Sequence, residues 1–409
     1  MTNRAHFQPE QLFAARMSGV PTSFIREILK TTIQPNVISF AGGLPNPSLF
    51  PVEAFREAAD RVLSRGGRTA LQYAPTEGYL PLREYIAARY KAVQGLDISP
   101  EEILITSGSQ QGIDLLGKVL INPCDAIAIE KPGYLGAIQA LSVYQPRFCP
   151  VTLTDEGVDV DELEALYDHY NVKLFSAIPN FQNPTGISYT EETRKRLAEA
   201  LIGRNTIVVE DDPYGDLRFF GTRAPSLRAY FGSQCVMLGS FSKIAAPGFR
   251  LGWIVAAKPI MEKLVIAKQA TDLHTNFVGQ CIMYEYLANN DLDVHIQRIV
   301  AVYREQCEAM TEAIQMHFPH EAIATKPEGG MFVWITMPEN FSTVQFFNKA
   351  IRHNVAFVPG TPFYVGGGGE NTMRLNYSCS DVSSIREGIR RLGRLLHEAM
   401  MPATEIASV

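Results

Sequence analysis

Ser240-Phe241-Ser242-Lys243, followed by Pro247-Gly248-Phe249-Arg250, is the stretch on which the reading of this chain turns. It comes directly after Cys235-Val236-Met237-Leu238-Gly239, an apolar run that predicts a buried strand. A lysine at the end of such a strand is costly to bury as an ammonium. Desolvation there favours the neutral amine, the form that condenses with an aldehyde. Two serine hydroxyls just before Lys243, and Arg250 after it, supply donors for a phosphate. Taken by itself, the tetrapeptide reads equally as a solvated lysine in a loop, so its surroundings decide.

Outward from this stretch the chain alternates. Apolar runs at 103–106, 126–129, 174–178, 206–209, 236–238 and 251–255 predict strands. Helical patterns at 52–65, 82–93, 111–120, 136–143 and 191–201 precede or separate them. Short strands alternating with helices mean an α/β unit with a mostly parallel sheet covered on both faces. After about residue 285 the pattern changes to a long helix at 292–316, a strand at 330–335, a helix at 344–353, a strand at 373–377 and a closing helix at 382–400. That is a smaller α+β unit. Residues 1–50 read as an arm with a short helix at 22–32, an extended stretch at 37–40 and a break at Ala41-Gly42-Gly43-Leu44-Pro45. The expected division is therefore 1–50, 51–285 and 286–409.

At 409 residues, 46% apolar and 20% charged, the chain has the composition of an ordinary globular protein of two domains. A net charge of −6 without a long basic run gives no reason to expect nucleic acid or an anionic membrane as partner. The six cysteines are scattered and form no CxxC pair, so neither a zinc site nor a disulfide framework is indicated. No window reaches the eighteen or so apolar residues that span a bilayer, and the N-terminus lacks an apolar signal core. Cytoplasm is the default compartment.

In open α/β sheets ligands sit beyond the carboxyl ends of the strands. The segments that follow the predicted strands are Ser107-Gly108-Ser109-Gln110 opening a helix, Lys131-Pro132-Gly133-Tyr134, Pro179-Asn180-Phe181-Gln182-Asn183-Pro184-Thr185-Gly186, the acidic Glu210-Asp211-Asp212 with Tyr214, and Ser240-x-Ser242-Lys243. Each has an ordinary alternative: a capped helix start, a turn aromatic, a plain loop, a solvated strand end or metal site. Together, in order and at one edge, they supply an anion seat, an aromatic face, an amide, a carboxylate and a lysine, which is what pyridoxal phosphate requires. Lys243 is then the Schiff-base amine and the general base. Asp211 pairs with the pyridine nitrogen. Tyr214 and Asn183 hydrogen-bond the phenolic oxygen, and Tyr134 stacks on the ring. Ser109, Gln110, Ser240, Ser242 and Arg250 hold the phosphate. Arg374, inside an apolar strand, is either a structural ion pair or the fork for a substrate α-carboxylate.

With Asn183-Pro184-Thr185-Gly186, Asp211-x-x-Tyr214, Ser240-x-Ser242-Lys243 and Arg374 in this order, nearly the whole chain resembles the fold-type I pyridoxal-phosphate-dependent aminotransferases. Ser39-Phe40-Ala41-Gly42-Gly43-Leu44-Pro45, Ser107-Gly108-Ser109-Gln110-Gln111 and Ala246-Pro247-Gly248-Phe249-Arg250-Leu251-Gly252-Trp253 are similar to the branch of 2-aminoadipate, aromatic and kynurenine-type enzymes. The resemblance implies a seven-stranded large-domain sheet and a homodimer with shared active sites. Tyr73, in Gln72-Tyr73-Ala74-Pro75, would reach the partner's phosphate, or else be an ordinary core aromatic. It also places Gly43 against the substrate carboxylate. Arg26 would meet an acidic substrate side chain, or else be a solvent-facing helix arginine. Gly279 departs from the family, where a larger polar residue is common.

The expected activity is transfer of the amino group of an L-amino acid (aromatic, 2-aminoadipate-like or broadly chosen) to a 2-oxo acid such as 2-oxoglutarate. The same arrangement also serves lyases and decarboxylases. A third reading is the aminotransferase-like domain of a transcription regulator, against which the arm of about fifty residues counts as too short and insufficiently basic for a DNA-binding module.

Overall fold

A computed structural model describes residues 8–17, 20 and 36–401. The helix expected at 22–32, with Arg26, lies outside the described residues.

The central sheet is built from β2 (Ile103–Thr106), β3 (Ala126–Lys131), β4 (Arg147–Thr154), β5 (Gly157–Val158), β6 (Val172–Ala177), β7 (Ile207–Asp211), β8 (Cys235–Ser240) and β9 (Gly252–Val255). Their order is β2-β9-β8-β7-β6-β3-β4-β5. The pairings β8/β7, β7/β6, β6/β3 and β3/β4 are parallel, whereas β9 runs antiparallel to both β2 and β8. The expected seven strands are thus eight. Beyond the six runs read from the sequence, the sheet contains β4 and the two-residue β5, which folds back antiparallel on the end of β4.

Successive side chains of a strand point to opposite faces, and the sheet accordingly separates two cores. Ile103, Ile105, Met237, Trp253 and Val255 belong to one. Leu104, Val236, Leu238 and Ile254 belong to the other, with Ile113, Leu116 and Leu264 from covering helices. Helices Ser109–Leu120, Leu135–Ser142 and Lys258–Asp272 supply this second face. Burial on both faces is why these strands read as continuous apolar runs.

A second sheet joins β10 (Ile323–Ala324), β11 (Phe332–Thr336), β13 (Val358–Pro359) and β14 (Thr372–Asn376), all antiparallel, in the order β10-β11-β14-β13. The segment before residue 50 is tied to this half of the chain. Its β1 (Ile38–Ser39) runs parallel to β12 (Val355–Ala356), and Asn376 N donates to Phe40 O. Among the described residues no helix is long and apolar enough to cross a membrane.

The β8/β9 pair is packed closely where it approaches the cleft. A Cβ on Gly239 would lie 2.2 Å from the Trp253 ring, whose Nε1 donates to Tyr90 Oη at 2.9 Å. Trp253 fills the volume that a side chain at 239 would need. Gly239→Ala is expected to overpack this contact and cost about 1–3 kcal/mol, read as a fall of several degrees in the thermal midpoint of the purified protein.

Candidate active site

The parallel strands β2, β3, β6, β7 and β8 release the chain at one edge of the sheet, and the candidate residues gather there. Gly43, Ser109, Gln110, Tyr134, Asn183, Asp211, Tyr214, Ser240, Ser242, Lys243, Arg250 and Arg374 line one cleft. Arg374 comes from β14 of the second sheet, so the two sheets close the cleft from opposite sides. Tyr73 is not among the lining residues. It is 78% exposed, its ring edge-on to His274 at 5.9 Å. Gly279 is not there either; its amide is capped by Asn276 Oδ1 at 2.8 Å at the start of helix Phe277–Asn289.

At one end of the cleft, Gly108 adopts φ +82° immediately before helix Ser109–Leu120. The first amides of that helix have no intrahelical acceptor and face the cleft end. Gly108 also permits a close approach, because a Cβ there would lie 2.6 Å from Arg250 Nη2. Arg250 itself sits in the left-handed region, φ 53°, with Nη1 3.5 Å from Ser242 Oγ. Ser240 Oγ donates to Ser242 Oγ at 2.9 Å and accepts from Ser242 N at 3.1 Å. Hydroxyls, helix amides and a guanidinium thus converge without a carboxylate between them. The Gln110 side chain differs from its expected role. Its Nε2 donates to Gly136 O at 2.7 Å and its Oε1 accepts from Tyr134 Oη at 3.3 Å. It fixes the Tyr134 turn and leaves only its backbone to the anion seat.

Asp211 ends β7, and Lys243 follows its parallel neighbour β8. Asp211 is buried, and its Oδ1 has no hydrogen-bond partner. Burial, reinforced by the carboxyls of Asp212 and Glu130, pushes Asp211 up to about 8. Lys243 Nζ donates to Gly43 O at 2.7 Å. Burial brings its ammonium down to about 8, and the charges of Arg374 and Arg250 act in the same direction. The amine therefore reaches its neutral, nucleophilic form at a lower pH than an exposed lysine does.

Arg374 is buried between aromatic faces, 4.5 Å from the Phe332 ring centroid and 5.4 Å from that of Phe363. Its Nη1 donates to Asn183 Oδ1 and its Nη2 to Ala41 O, each at 2.8 Å, while Nε has no partner. No carboxylate pairs with it among the described residues, so the structural ion pair is not formed there. Asn183 Nδ2 donates to Tyr214 Oη at 3.3 Å. Gly43 belongs here because a Cβ on it would lie 3.3 Å from Phe332 and 4.0 Å from Arg374 Nη2.

Sequence reasoning missed the layer beneath. Glu130, buried at the end of β3, accepts from Ile178 N (3.1 Å), Gln182 Nε2 (3.0 Å) and Tyr189 Oη (2.6 Å). Arg194, buried in helix Glu191–Leu201, donates to Pro179 O at 2.8 Å and Asn180 Oδ1 at 2.7 Å. Together they hold both ends of the turn that presents Asn183. A charged residue closing an apolar run was the available signal for Glu130.

Residues 36–392 match the family described as aminotransferase class I and II. The chain is 44% identical over 390 residues to a 2-aminoadipate transaminase of Thermus thermophilus, covering 94% of this chain and 96% of that one. It is 43% identical over 397 residues to aromatic-amino-acid aminotransferase 1 of Thermococcus litoralis, covering 96% and 95%. A crystal structure of alpha-aminoadipate aminotransferase from Thermus thermophilus, complexed with N-(5'-phosphopyridoxyl)-L-leucine, superposes with a TM-score of 0.90 at 43% identity over 96% of this chain and 99% of that one. The chain belongs to the class I and II aminotransferases. It is a pyridoxal-phosphate-dependent transaminase, acting on amino acids and 2-oxo acids.

The residues fit that cofactor. A buried carboxyl oxygen without a partner is costly, and a protonated ring nitrogen supplies both the missing hydrogen bond and the opposite charge. This has a consequence for the cofactor-free protein. The folded-state pKa of Asp211, about 8, lies above the ordinary carboxylate value near 4. The folded state then binds the proton more tightly, so this group's contribution to stability falls as pH rises from about 4 to about 8. Asp211→Asn removes the ionisation. At pH 8 the cofactor-free variant is expected to melt at or above the wild-type midpoint, while pyridoxal phosphate raises the wild-type midpoint more than the variant's. Turnover should fall roughly a hundredfold or more, the scale for removing one preorganised electrostatic partner. Thermal unfolding with and without cofactor, beside initial rates, checks both.

Proposed function

We propose that the cleft transfers the amino group of an aromatic or other uncharged L-amino acid, and of 2-aminoadipate-like donors, to 2-oxoglutarate. One observation carries this reading: Lys243, Asp211 and Arg374 face a single cleft, the first with a lowered pKa and the other two each with a buried polar atom that lacks a partner. When bound, pyridoxal phosphate supplies the electron sink for the bond broken at the substrate's alpha carbon.

The proposed roles of the chain's own groups follow from their placement. Ser240, Ser242, Arg250 and the amides of Ser109 and Gln110 hold the phosphate. Asp211 would keep the ring nitrogen protonated, Tyr134 would cover a ring face, and Asn183 and Tyr214 would donate to the phenolic oxygen. Arg374, kept planar between Phe332 and Phe363, turns its fork to the substrate carboxylate, with Gly43 leaving the room. Lys243 holds the cofactor through its aldehyde. When free, its amine would be the base that takes the proton from the substrate's alpha carbon.

Among the described residues lining the cleft, the cations are Lys243, Arg250 and Arg374, each with a role already. Leu44, Leu135 and Phe363 add an apolar lip. An uncharged side chain suits this wall, whereas an acidic one needs a further cation, for which Arg26 is the candidate. The names of the relatives, aromatic and 2-aminoadipate, support the same pair of donor classes. Incubation of the enzyme with an amino-acid panel and 2-oxoglutarate should yield glutamate, with aromatic donors among the best. Ammonia or carbon dioxide in its place overturns the reading. Arg374→Lys, which loses the bidentate fork, should lower kcat/KM for every donor by roughly a hundredfold, the loss falling mainly on KM.

We further propose a cytoplasmic homodimer, with the chain divided at about residues 50 and 285 into arm, cofactor-binding unit and closing unit. Tyr73 and Leu71 are more than two-thirds exposed, and Leu80, a few residues on, is exposed too. Such exposed apolar side chains suit an interface, through which Tyr73 would reach the partner's phosphate. Sedimentation should give a dimer. Tyr73→Phe should weaken retention of pyridoxal phosphate several-fold, measured by equilibrium dialysis, without dissociating the dimer.

A further inference from the structure

The turn 106–109 that opens the anion seat is braced from outside the cleft. Gln111 sits one helical position beyond Gln110, and its side chain faces away from the lining residues. Its Oε1 accepts from Ser107 N at 2.8 Å and from Lys268 Nζ at 2.9 Å, and its Nε2 donates to Asp272 Oδ2 at 2.7 Å. Lys268 is fully buried and also donates to both Asp272 oxygens, at 2.9 and 3.1 Å. Ser107 Oγ completes the cluster at 3.3 Å from Asp272 Oδ2. A buried lysine is expensive unless paired and hydrogen-bonded. Here its charge is used up at the last turn of helix Lys258–Asp272, on the back of the seat.

The cluster decides which amides the cleft receives. Ser107 N is taken by Gln111, and Gly108 N by Thr106 O at 2.8 Å. Thr106 Oγ1 in turn donates to Gly108 O at 3.0 Å. With those groups occupied, the peptide flips through Gly108, and it is Ser109 and Gln110 that line the cleft. The other side of the seat is equally fixed, since a Cβ on Gly252 would lie 2.6 Å from Ser109 N.

We propose that Gln111, anchored by the Lys268–Asp272 pair, is a positioning residue that sets the affinity of this enzyme for the phosphate of its cofactor. It touches neither cofactor nor substrate. It holds the amides of Ser109 and Gln110 in the orientation that an anion needs, and an unbraced turn must be ordered at the expense of binding. The inference rests on the reading of Ser109 and Gln110 as phosphate donors.

The test compares pyridoxal phosphate with pyridoxal, which has the aldehyde and ring but lacks the phosphate. Full-length protein freed of cofactor is titrated with each, following the visible absorbance of the bound form. Wild type is expected to prefer pyridoxal phosphate strongly. Gln111→Leu should weaken pyridoxal phosphate about tenfold and leave pyridoxal within twofold, so that the preference shrinks. Asp272→Asn keeps a hydrogen-bonding side chain in place but removes the charge that anchors the cluster. It should shrink the preference in the same direction by a smaller factor, and it answers the question if the leucine variant does not fold. An equal loss for both ligands marks a merely structural brace and overturns the proposal, as does an unchanged preference in both variants. If wild type shows no preference, the reading of the phosphate seat itself fails.

Discussion

A carboxyl group buried at the end of β7 with one oxygen unpartnered is the constraint around which the cleft is arranged. Folding alone would not leave it so. Burial favours the neutral acid, and the nearby carboxyls of Glu130 and Asp212 push the same way. One strand over, the lysine that follows β8 is held where its ammonium is disfavoured. The two groups are displaced in opposite senses from their solution behaviour. On the proposed roles, each would be relieved by one small molecule that offers an aldehyde on one side and a basic ring nitrogen on another. The cofactor-free fold would then carry a local penalty that the ligand removes, which is the usual relation between a binding site and the stability of its scaffold.

The rest of the site depends on a layer that does not touch the cleft. Glu130 and Arg194 hold the Asn183 turn from below. Phe332 and Phe363 set the plane of Arg374. Gly133 N donates to Phe363 O at 2.8 Å, joining the Tyr134 turn to the second sheet. Short polar groups at strand ends have many rotamers. They become a site only because these partners select one arrangement, and the partners are buried deeply enough for their hydrogen bonds to be worth keeping.

Much of this was legible in the sequence because its signals were local. Helices Glu191–Leu201 and Val382–Met400 have the expected bounds, since Thr190 and Asp381 cap them with side-chain acceptors. Strands buried on both faces are continuous apolar runs, and the site residues stand at their ends in chain order. What escaped had no such period. Strand β4 is only half-buried along much of its length, is exposed at both ends and carries Pro150 at its middle. It was passed over although it is tolerated near the sheet margin, flanked by only the two-residue β5. Helix Phe277–Asn289 is apolar nearly all round and shows no stripe. The roles of Glu130, Gln182 and Arg194 could not be read for a different reason. Their importance lies in partners 14 to 59 residues away, which no local window joins.

The position of Arg374 explains why the cleft needs both sheets. Its carrier, β14, is paired on both sides by β11 and β13, so the guanidinium cannot follow the strand ends of the central sheet. It reaches them through two hydrogen bonds, to Asn183 and to Ala41, one on each side of the cleft. A substrate carboxylate on this fork, as proposed, replaces neutral acceptors by a charged one and strengthens a contact that already spans the two halves. The same exchange frees Asn183 Oδ1 from the guanidinium, so the amide's two ends are no longer both committed to protein partners. On these proposed roles, recognition of the substrate and release of the Asn183 amide would be one rearrangement at a single side chain. The orphaned Nε of Arg374 marks the remaining donor on which such a rearrangement can draw.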